Sequence, residues 1–145
     1  MFEERGPQLM QFAAAIGALV AAEAVVFILA ALLHLGVPLP VGFSEPRILP
    51  AFVVETLIGL FFALSAFAVF VRKKWAWGAT VGAHVFSIAG ISLGMAAMTF
   101  SPGRGTEANE SYHRVMMAVA VASIILLLMP GAKRALGHTK DNTER

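Results

Sequence analysis

The sequence predicts an all-α fold, an integral membrane four-helix transmembrane bundle that forms a single domain over residues 1–145. Of its 145 residues, 58% are hydrophobic and 14% are charged, whereas soluble domains average about 45–50% apolar and roughly 25% charged residues. The apolar residues come in four long runs, each close to the roughly 20 residues that a membrane span needs. These runs show no alternation of apolar and polar residues, which argues against the strands of a transmembrane β-barrel.

The first two runs each contain a single charged residue. The first run covers residues 9–35 and is interrupted only by Glu23, and the second covers residues 48–71 and is interrupted only by Glu55. Inside a bilayer the backbone N–H and C=O groups must be satisfied within their own segment, so runs of this length form helices. We therefore expect two helices that each carry one carboxylate into the membrane.

The last two runs carry histidines. The third run covers residues 75–100, contains no Asp, Glu, Lys or Arg, and includes His84. The fourth run covers residues 112–132 and has His113 and Arg114 at its start. By the same backbone requirement, both runs are expected to be helices.

Two glycines of the third run, Gly90 and Gly94, form a Gly-x-x-x-Gly pattern. Small residues let helix backbones approach closely in a bilayer, where lipid tails are as apolar as leucine. The pattern predicts close helix packing within the monomer, with a dimer interface as the alternative.

The distribution of Lys and Arg predicts the orientation of the bundle. Eight of the eleven lie in the N-terminal segment, the turn between the second and third runs, and the C-terminal tail, which leaves three in or directly beside the other two loops. Because cytoplasmic loops of membrane proteins are enriched in these residues, both termini are expected in the cytoplasm. The localisation that we expect is the inner (plasma) membrane of a bacterial cell.

Composition also limits the classes of function and partner. The chain contains no cysteine, which excludes disulfides, cysteine zinc sites and thiol nucleophiles. No basic tract has the character of a nucleic-acid footprint, so we expect no nucleic-acid partner. The expected surroundings are the lipid bilayer, with a homo-oligomer or a larger membrane complex as further assembly.

Glu23 and His84 are expected to lie at the same depth in the membrane. With a helical rise of about 1.5 Å per residue, Glu23 lies roughly 18 Å and His84 roughly 22 Å below the outer ends of their helices. Charged groups at this depth are expensive and usually face the bundle interior. We therefore predict an intramembrane polar pair between Glu23 and His84.

A second group of polar residues is expected near the outer end of the bundle. Glu55 lies about 8 Å below the outer end of its helix, while His34 closes the first run and His113 opens the fourth. His34 is eleven positions after Glu23, which returns it to nearly the same helix face. Five further residues could join this outer cluster from the loops: Arg47, Glu107, Glu110, Tyr112 and Arg114.

Three interpretations of these residues stay open. His34, Glu55 and His113 could bind a divalent metal, because imidazole and carboxylate ligands suit Zn, Fe or Mn. Alternatively, the buried Glu and His residues could form a proton pathway or a polar substrate pocket. They could also be structural contacts that hold the spans together.

The middle of the chain resembles small bacterial DoxX-type membrane proteins. The resemblance rests on residues 51–60, where Glu55 is followed four residues later by Gly59, on the basic turn at residues 72–74, and on the Ala- and Gly-rich third run. It implies a four-span membrane subunit or accessory protein linked to quinone-coupled oxidation, with a quinone as the implied ligand. The first run departs from the family pattern, since it has Glu23 and His34 in place of an Arg-rich start and a terminal Lys.

Three classes of function follow from these observations. The chain is expected to be a DoxX-like membrane subunit or accessory protein. The alternatives are a small proton-coupled transporter or channel that uses Glu23 and His84, and an outward-facing metal-dependent membrane enzyme. No catalytic motif in the sequence identifies a catalytic residue.

Overall fold

The structure is a computed structural model, which describes residues 6–38, 44–100 and 106–137. Over these ranges it contains five helices and no strand, which confirms the predicted all-α four-helix bundle. The four long helices are apolar enough to cross a membrane. The helices are α1 (Pro7–Leu35), α2 (Leu49–Phe70), α3 (Ala76–Phe100), α4 (Glu107–Leu128) and α5 (Pro130–Ala135).

Proline and glycine mark where the first two helices begin and end. Pro7 and Pro50 lie in the first turns of α1 and α2, where the missing N–H of proline leaves no hydrogen bond unmade. Gly36 ends α1 in the left-handed conformation with φ of 94°, and its N–H donates to carbonyls of the last turn. This conformation favours glycine, because glycine has no Cβ.

The fourth span differs from the predicted range 112–132. Helix α4 begins at Glu107, five residues earlier, because the Thr106 hydroxyl accepts a hydrogen bond from the Asn109 N–H and caps the helix. Two acidic residues in the first turn further favour this start through the helix dipole. The span ends at Leu128, because Pro130 cannot continue α4 and instead begins α5.

The helices follow one another around the bundle. Helix α1 packs on α2, α2 on α3 and α3 on α4, so α1 and α3 lie diagonally across the bundle. The short helix α5 packs against α1. We call the end where α1 passes into α2 the outer end, following the orientation predicted from the sequence, and the opposite end the inner end.

At the inner end, Trp77 connects α3 to α4 and α5. Its Nε1–H donates a hydrogen bond of 2.9 Å to the carbonyl oxygen of Leu127 in α4. The ammonium nitrogen of Lys133 in α5 lies 5.4 Å from the centre of the same indole ring. This contact has the geometry of a cation–π interaction.

Gly90 and Gly94 pack inside the monomer, as the first of the two expectations had it. A Cβ at Gly90 would lie 2.8 Å from Ile58 Cδ1 of α2, and one at Gly94 would lie 2.9 Å from His113 Nε2 of α4. Both distances are too short for real side-chain contacts. The two glycines therefore allow α3 to approach its neighbours on both sides.

The outside of the bundle is strongly apolar. Each of the four long helices carries large hydrophobic side chains that are individually more than half exposed. An apolar surface of this extent is typical of contact with lipid rather than water. Examples are Val25, Leu60, Leu93, Val115 and Ile125.

Candidate functional site

The structure brings Glu23 and His84 together at the centre of the bundle. Glu23 Oε2 lies 3.1 Å from His84 Nε2, and both side chains are at most 5% exposed. Neither atom completes an aligned hydrogen bond with another residue of the described chain. This contact links α1 with α3 across the bundle, although the two helices do not pack closely against each other.

The other ring nitrogen of His84 has a fixed role. His84 Nδ1 lies 2.7 Å from the backbone carbonyl oxygen of Thr80. A carbonyl oxygen can only accept, so Nδ1 carries a hydrogen and donates it. In the neutral imidazole, Nε2 is then the acceptor that faces Glu23.

Ser123 of α4 is a third member of this centre, which sequence reasoning missed. Its hydroxyl donates to Glu23 Oε1 at 3.3 Å, and the side chain is buried. A signal for it exists in the sequence, because Ser123 is the only polar residue between positions 115 and 128. A lone hydroxyl in an otherwise apolar half-helix faces the bundle interior more often than lipid.

Aromatic rings cover the outer side of this centre. The Phe62 ring packs edge-on against the His84 imidazole, with centroids 4.8 Å apart, and stacks on Phe27 at 5.6 Å. Tyr112 of α4 meets Phe27 edge-on at 6.2 Å. Phe27, Phe62 and Tyr112, which we call the aromatic layer, separate the inner polar centre from the polar groups of the outer end.

At the outer end, His34 of α1 and Glu55 of α2 form a second buried pair. His34 Nδ1 lies 2.7 Å from Glu55 Oε2, with the side chains 2% and 5% exposed. The remaining polar atoms, His34 Nε2 and Glu55 Oε1, are buried and have no hydrogen-bond partner among the described residues. Buried polar atoms without partners are uncommon in folded proteins, so this pair leaves one donor or acceptor site on each residue unused.

His113 lies on the opposite side of the outer end. Its Nδ1 donates to the backbone carbonyl of Asn109 at 2.8 Å, which leaves Nε2 beside Gly94 of α3. Only glycine at position 94 leaves room for the imidazole. Asn109 was missed by sequence reasoning, although its position four residues before His113 places both on one helix face.

A cavity of about 180 Å³ lies between these groups. Four polar residues contribute to its lining, namely His34, Glu55, Asn109 and His113, and the other lining residues are apolar, apart from two glycines. Phe27 of the aromatic layer lines it too. Its walls include Pro50 on α2 and the exposed Leu93 and Ala97 on α3, so the cavity reaches the outer surface between these two helices.

Three residues expected in the outer cluster lie outside it. Glu107, Glu110 and Arg114 are exposed, and Arg114 pairs with Glu110 on the protein surface, where the two side chains are 68% and 51% exposed. The physical reason is the helical period, because positions 107, 110 and 114 share one face of α4. Asn109 and His113 occupy a different, buried face of the helix.

The two other residues that could have joined the cluster also stay out of the cavity lining. Arg47 is exposed. Tyr112 is half-buried and belongs to the aromatic layer, although its hydroxyl is buried without a hydrogen-bond partner in the described structure.

The arrangement does not support the predicted metal site. Across residues 6–38, 44–100 and 106–137, no group of three or more His, Asp or Glu side chains could hold a metal ion. His34 directs Nδ1 to Glu55, while His113 faces Gly94 on another wall. The three predicted ligands line one cavity without converging on one point.

Comparison of the chain with protein-family models, with curated proteins and with solved structures finds no match. The resemblance to DoxX-type proteins stays a prediction from the residues. What the structure does establish is a small four-span membrane bundle with two buried histidine–glutamate pairs.

Proposed function

We propose that this chain is a DoxX-like membrane subunit or accessory protein whose outer cavity binds the ring-shaped head of a quinone-like lipid. The observation that carries the proposal is the buried His34–Glu55 pair, which presents unpartnered polar atoms at a mostly apolar cavity. A ligand that suits such a site combines an apolar body with a few polar atoms. A quinone head has this composition.

The size of the cavity supports a single ring. An apolar cavity of about 150 Å³ is large enough to bind benzene, and this one measures about 180 Å³. A ring-sized head therefore fits, whereas a long isoprenoid tail does not. The tail would leave between α2 and α3, past Leu93 and Ala97, into the surrounding lipid.

The polar atoms match both redox forms of a quinone. A neutral His34 with Nδ1–H offers Nε2 as an acceptor for the hydroxyl of a quinol, and the protonated ring offers Nε2–H as a donor to a quinone carbonyl. Glu55 Oε1 is a second acceptor beside it. The buried carboxylate stabilises the protonated ring, so the His34 ring can adopt either the neutral or the protonated form.

Binding of a short-tailed benzoquinone to purified protein in detergent tests the proposal. Wild type is expected to bind one equivalent saturably, measured by calorimetry or by quinone retained on the protein. Ala97→Trp, which places a large ring at the opening, should weaken binding at least about tenfold, a loss of about 1.4 kcal/mol.

Ala96→Trp is the matched control for this experiment. Ala96 is exposed on the same helix but does not line the cavity, so its binding should equal that of wild type. Equal weakening by both substitutions, or no saturable binding to wild type, would contradict the proposed ligand site.

An accessory role also predicts assembly. In gentle detergent, the chain should purify with a larger membrane complex or as a homo-oligomer, and the mass of the particle distinguishes the two. A monomeric particle that binds the quinone would support the cavity and refute the subunit role.

A further inference from the structure

We infer that Glu23, His84 and Ser123 form a proton-binding site at the bundle centre, which holds one proton and exchanges it through the inner half of the bundle. This inference does not depend on a ligand in the outer cavity. It rests on the hydrogen-bond roles at the pair, on the buried hydroxyls of Thr80 and Ser65 toward the inner end, and on the aromatic layer between the pair and the outer cavity.

The hydrogen-bond roles require one extra proton. His84 Nδ1–H is already committed to the Thr80 carbonyl, so a neutral ring presents the Nε2 lone pair to Glu23. A carboxylate oxygen 3.1 Å away would present another lone pair, and the contact would be repulsive. One proton on either Oε2 or Nε2 turns it into an attraction.

The depth of Glu23 and His84 in the membrane also favours one shared proton. A bare carboxylate near the bilayer centre is expensive, whereas Glu23 and His84 with one shared proton carry no net charge. Among the described residues, the helices packed around the pair present no other titratable group to it: α2 contributes Phe62, and α4 contributes Ser123, which donates to the second oxygen of Glu23. The remaining titratable groups with buried side-chain atoms in the described chain lie outward, toward the outer end: His34, Glu45, Glu55, Tyr112 and His113.

Buried hydroxyls lie between the pair and the inner end. Thr80 is one turn inward from His84, and Ser65 lies about 8 Å from the inner end of α2. Both are buried. Hydroxyl groups both donate and accept, so they can pass a proton or hold a water molecule on this side.

On the outer side, the buried Ser87 hydroxyl lies one turn from His84 and donates to the His84 backbone carbonyl, and aromatic rings cover the rest of the pair. Phe27 lies one turn outward from Glu23, and Phe62 covers the His84 ring. Both phenylalanines are fully buried and stack on each other. The aromatic layer therefore separates this site from the cavity, and the proton exchanges inward.

Removal of one ring of the aromatic layer gives the test. Phe27 both lines the cavity and stacks on Phe62, so Phe27→Ala opens a path from the cavity to the pair. Proteoliposomes with an internal pH dye and an imposed potential should be proton-tight with wild type and should leak with Phe27→Ala. Adding Glu23→Gln should reduce that leak at least about tenfold, because an amide does not take up and release a proton as a carboxyl group does.

Phe61→Ala is the matched control, since Phe61 is exposed on α2 and lies outside the aromatic layer, and it should stay proton-tight. A leak in Phe27→Ala that Glu23→Gln leaves unchanged would show that protons bypass the pair and would overturn the inference. A folded Phe27→Ala variant without a leak would overturn it as well.

A second measurement decides the proton count if Phe27→Ala does not fold. Nitrogen-15 NMR of histidine-labelled wild type in micelles should show His84 with Nδ1–H and with Nε2 either protonated or hydrogen-bonded. Infrared spectra should show the matching carboxylic acid or carboxylate of Glu23, absent in Glu23→Gln. A free Nε2 lone pair beside an ionised Glu23 would refute the shared proton.

Discussion

The two pairs of histidine and glutamate are the most consequential contacts at the scale of single residues. His34–Glu55 joins α1 to α2 near the outer end, and Glu23–His84 joins α1 to α3 at the centre. In each pair both partners are almost completely buried. Loss of one partner leaves the other buried without compensation, which destabilises a protein more than the pair itself stabilises it.

Glu55→Ala should therefore destabilise the bundle by about 3 kcal/mol, because it leaves the His34 ring unpaired. Glu110→Ala is the control, since the Glu110–Arg114 pair is exposed and such pairs contribute about 0–1 kcal/mol. Reversible unfolding in mixed micelles measures both free energies. Similar values for the two variants would show that burial of the His34–Glu55 pair has no energetic consequence.

Gly94 and Gly82 allow a second comparison of a substitution with its matched control. A methyl group at position 94 would lie 2.9 Å from His113 Nε2, while nothing lies within 4 Å of the corresponding point at position 82. Gly94→Ala should displace the His113 ring and weaken quinone binding, whereas Gly82→Ala should leave binding unchanged. Calorimetry checks the affinity, and the histidine NMR signals check the ring. Unchanged His113 signals in Gly94→Ala would contradict this packing.

At the scale of elements, Trp77 connects α3 to both α4 and α5. The indole donates to a carbonyl at the end of α4 and lies beside Lys133 of α5. Because Pro130 separates α4 from α5, the two elements have no continuous hydrogen-bond ladder to hold them in line. Trp77 supplies part of that connection.

Trp77→Phe should lower the free energy of unfolding by about 1–2 kcal/mol, the combined size of one hydrogen bond and one cation–π contact. Trp75→Phe is the matched control, because Trp75 is exposed at the same end of α3, and it should change stability little. Equal effects of the two substitutions would indicate a general requirement for indoles at the membrane interface rather than this contact.

At the scale of the whole molecule, the predicted orientation places both ends of the chain on the cytoplasmic side. The absence of cysteine makes this testable, because a single introduced cysteine is the only thiol. Ser44→Cys, between α1 and α2, should react with a membrane-impermeant maleimide in intact cells. Lys74→Cys, between α2 and α3, should react only after permeabilisation, and the reverse pattern would invert the topology.

The sequence was sufficient for the spans and for the depth of their polar residues. Three spans end within two residues of the predicted limits, and Glu23 and His84 do meet. Helical rise and bilayer thickness convert residue positions into depths, so no tertiary information was needed. The fourth helix begins and ends before the predicted limits, because the cap at Thr106 and the break at Pro130 are local signals that hydropathy does not contain.

The sequence by itself determined that the chain is a membrane protein with four helices, one carboxylate in each of the first two, and a histidine level with Glu23. Only the tertiary structure decided which faces of these helices turn inward. In a soluble helix the apolar face marks the core, but lipid is as apolar as a packed interior, so the exposed and buried faces of these helices look alike in sequence. Ser123 and Asn109 entered the site, and Glu107, Glu110 and Arg114 left it, because helix rotation depends on how neighbouring helices pack.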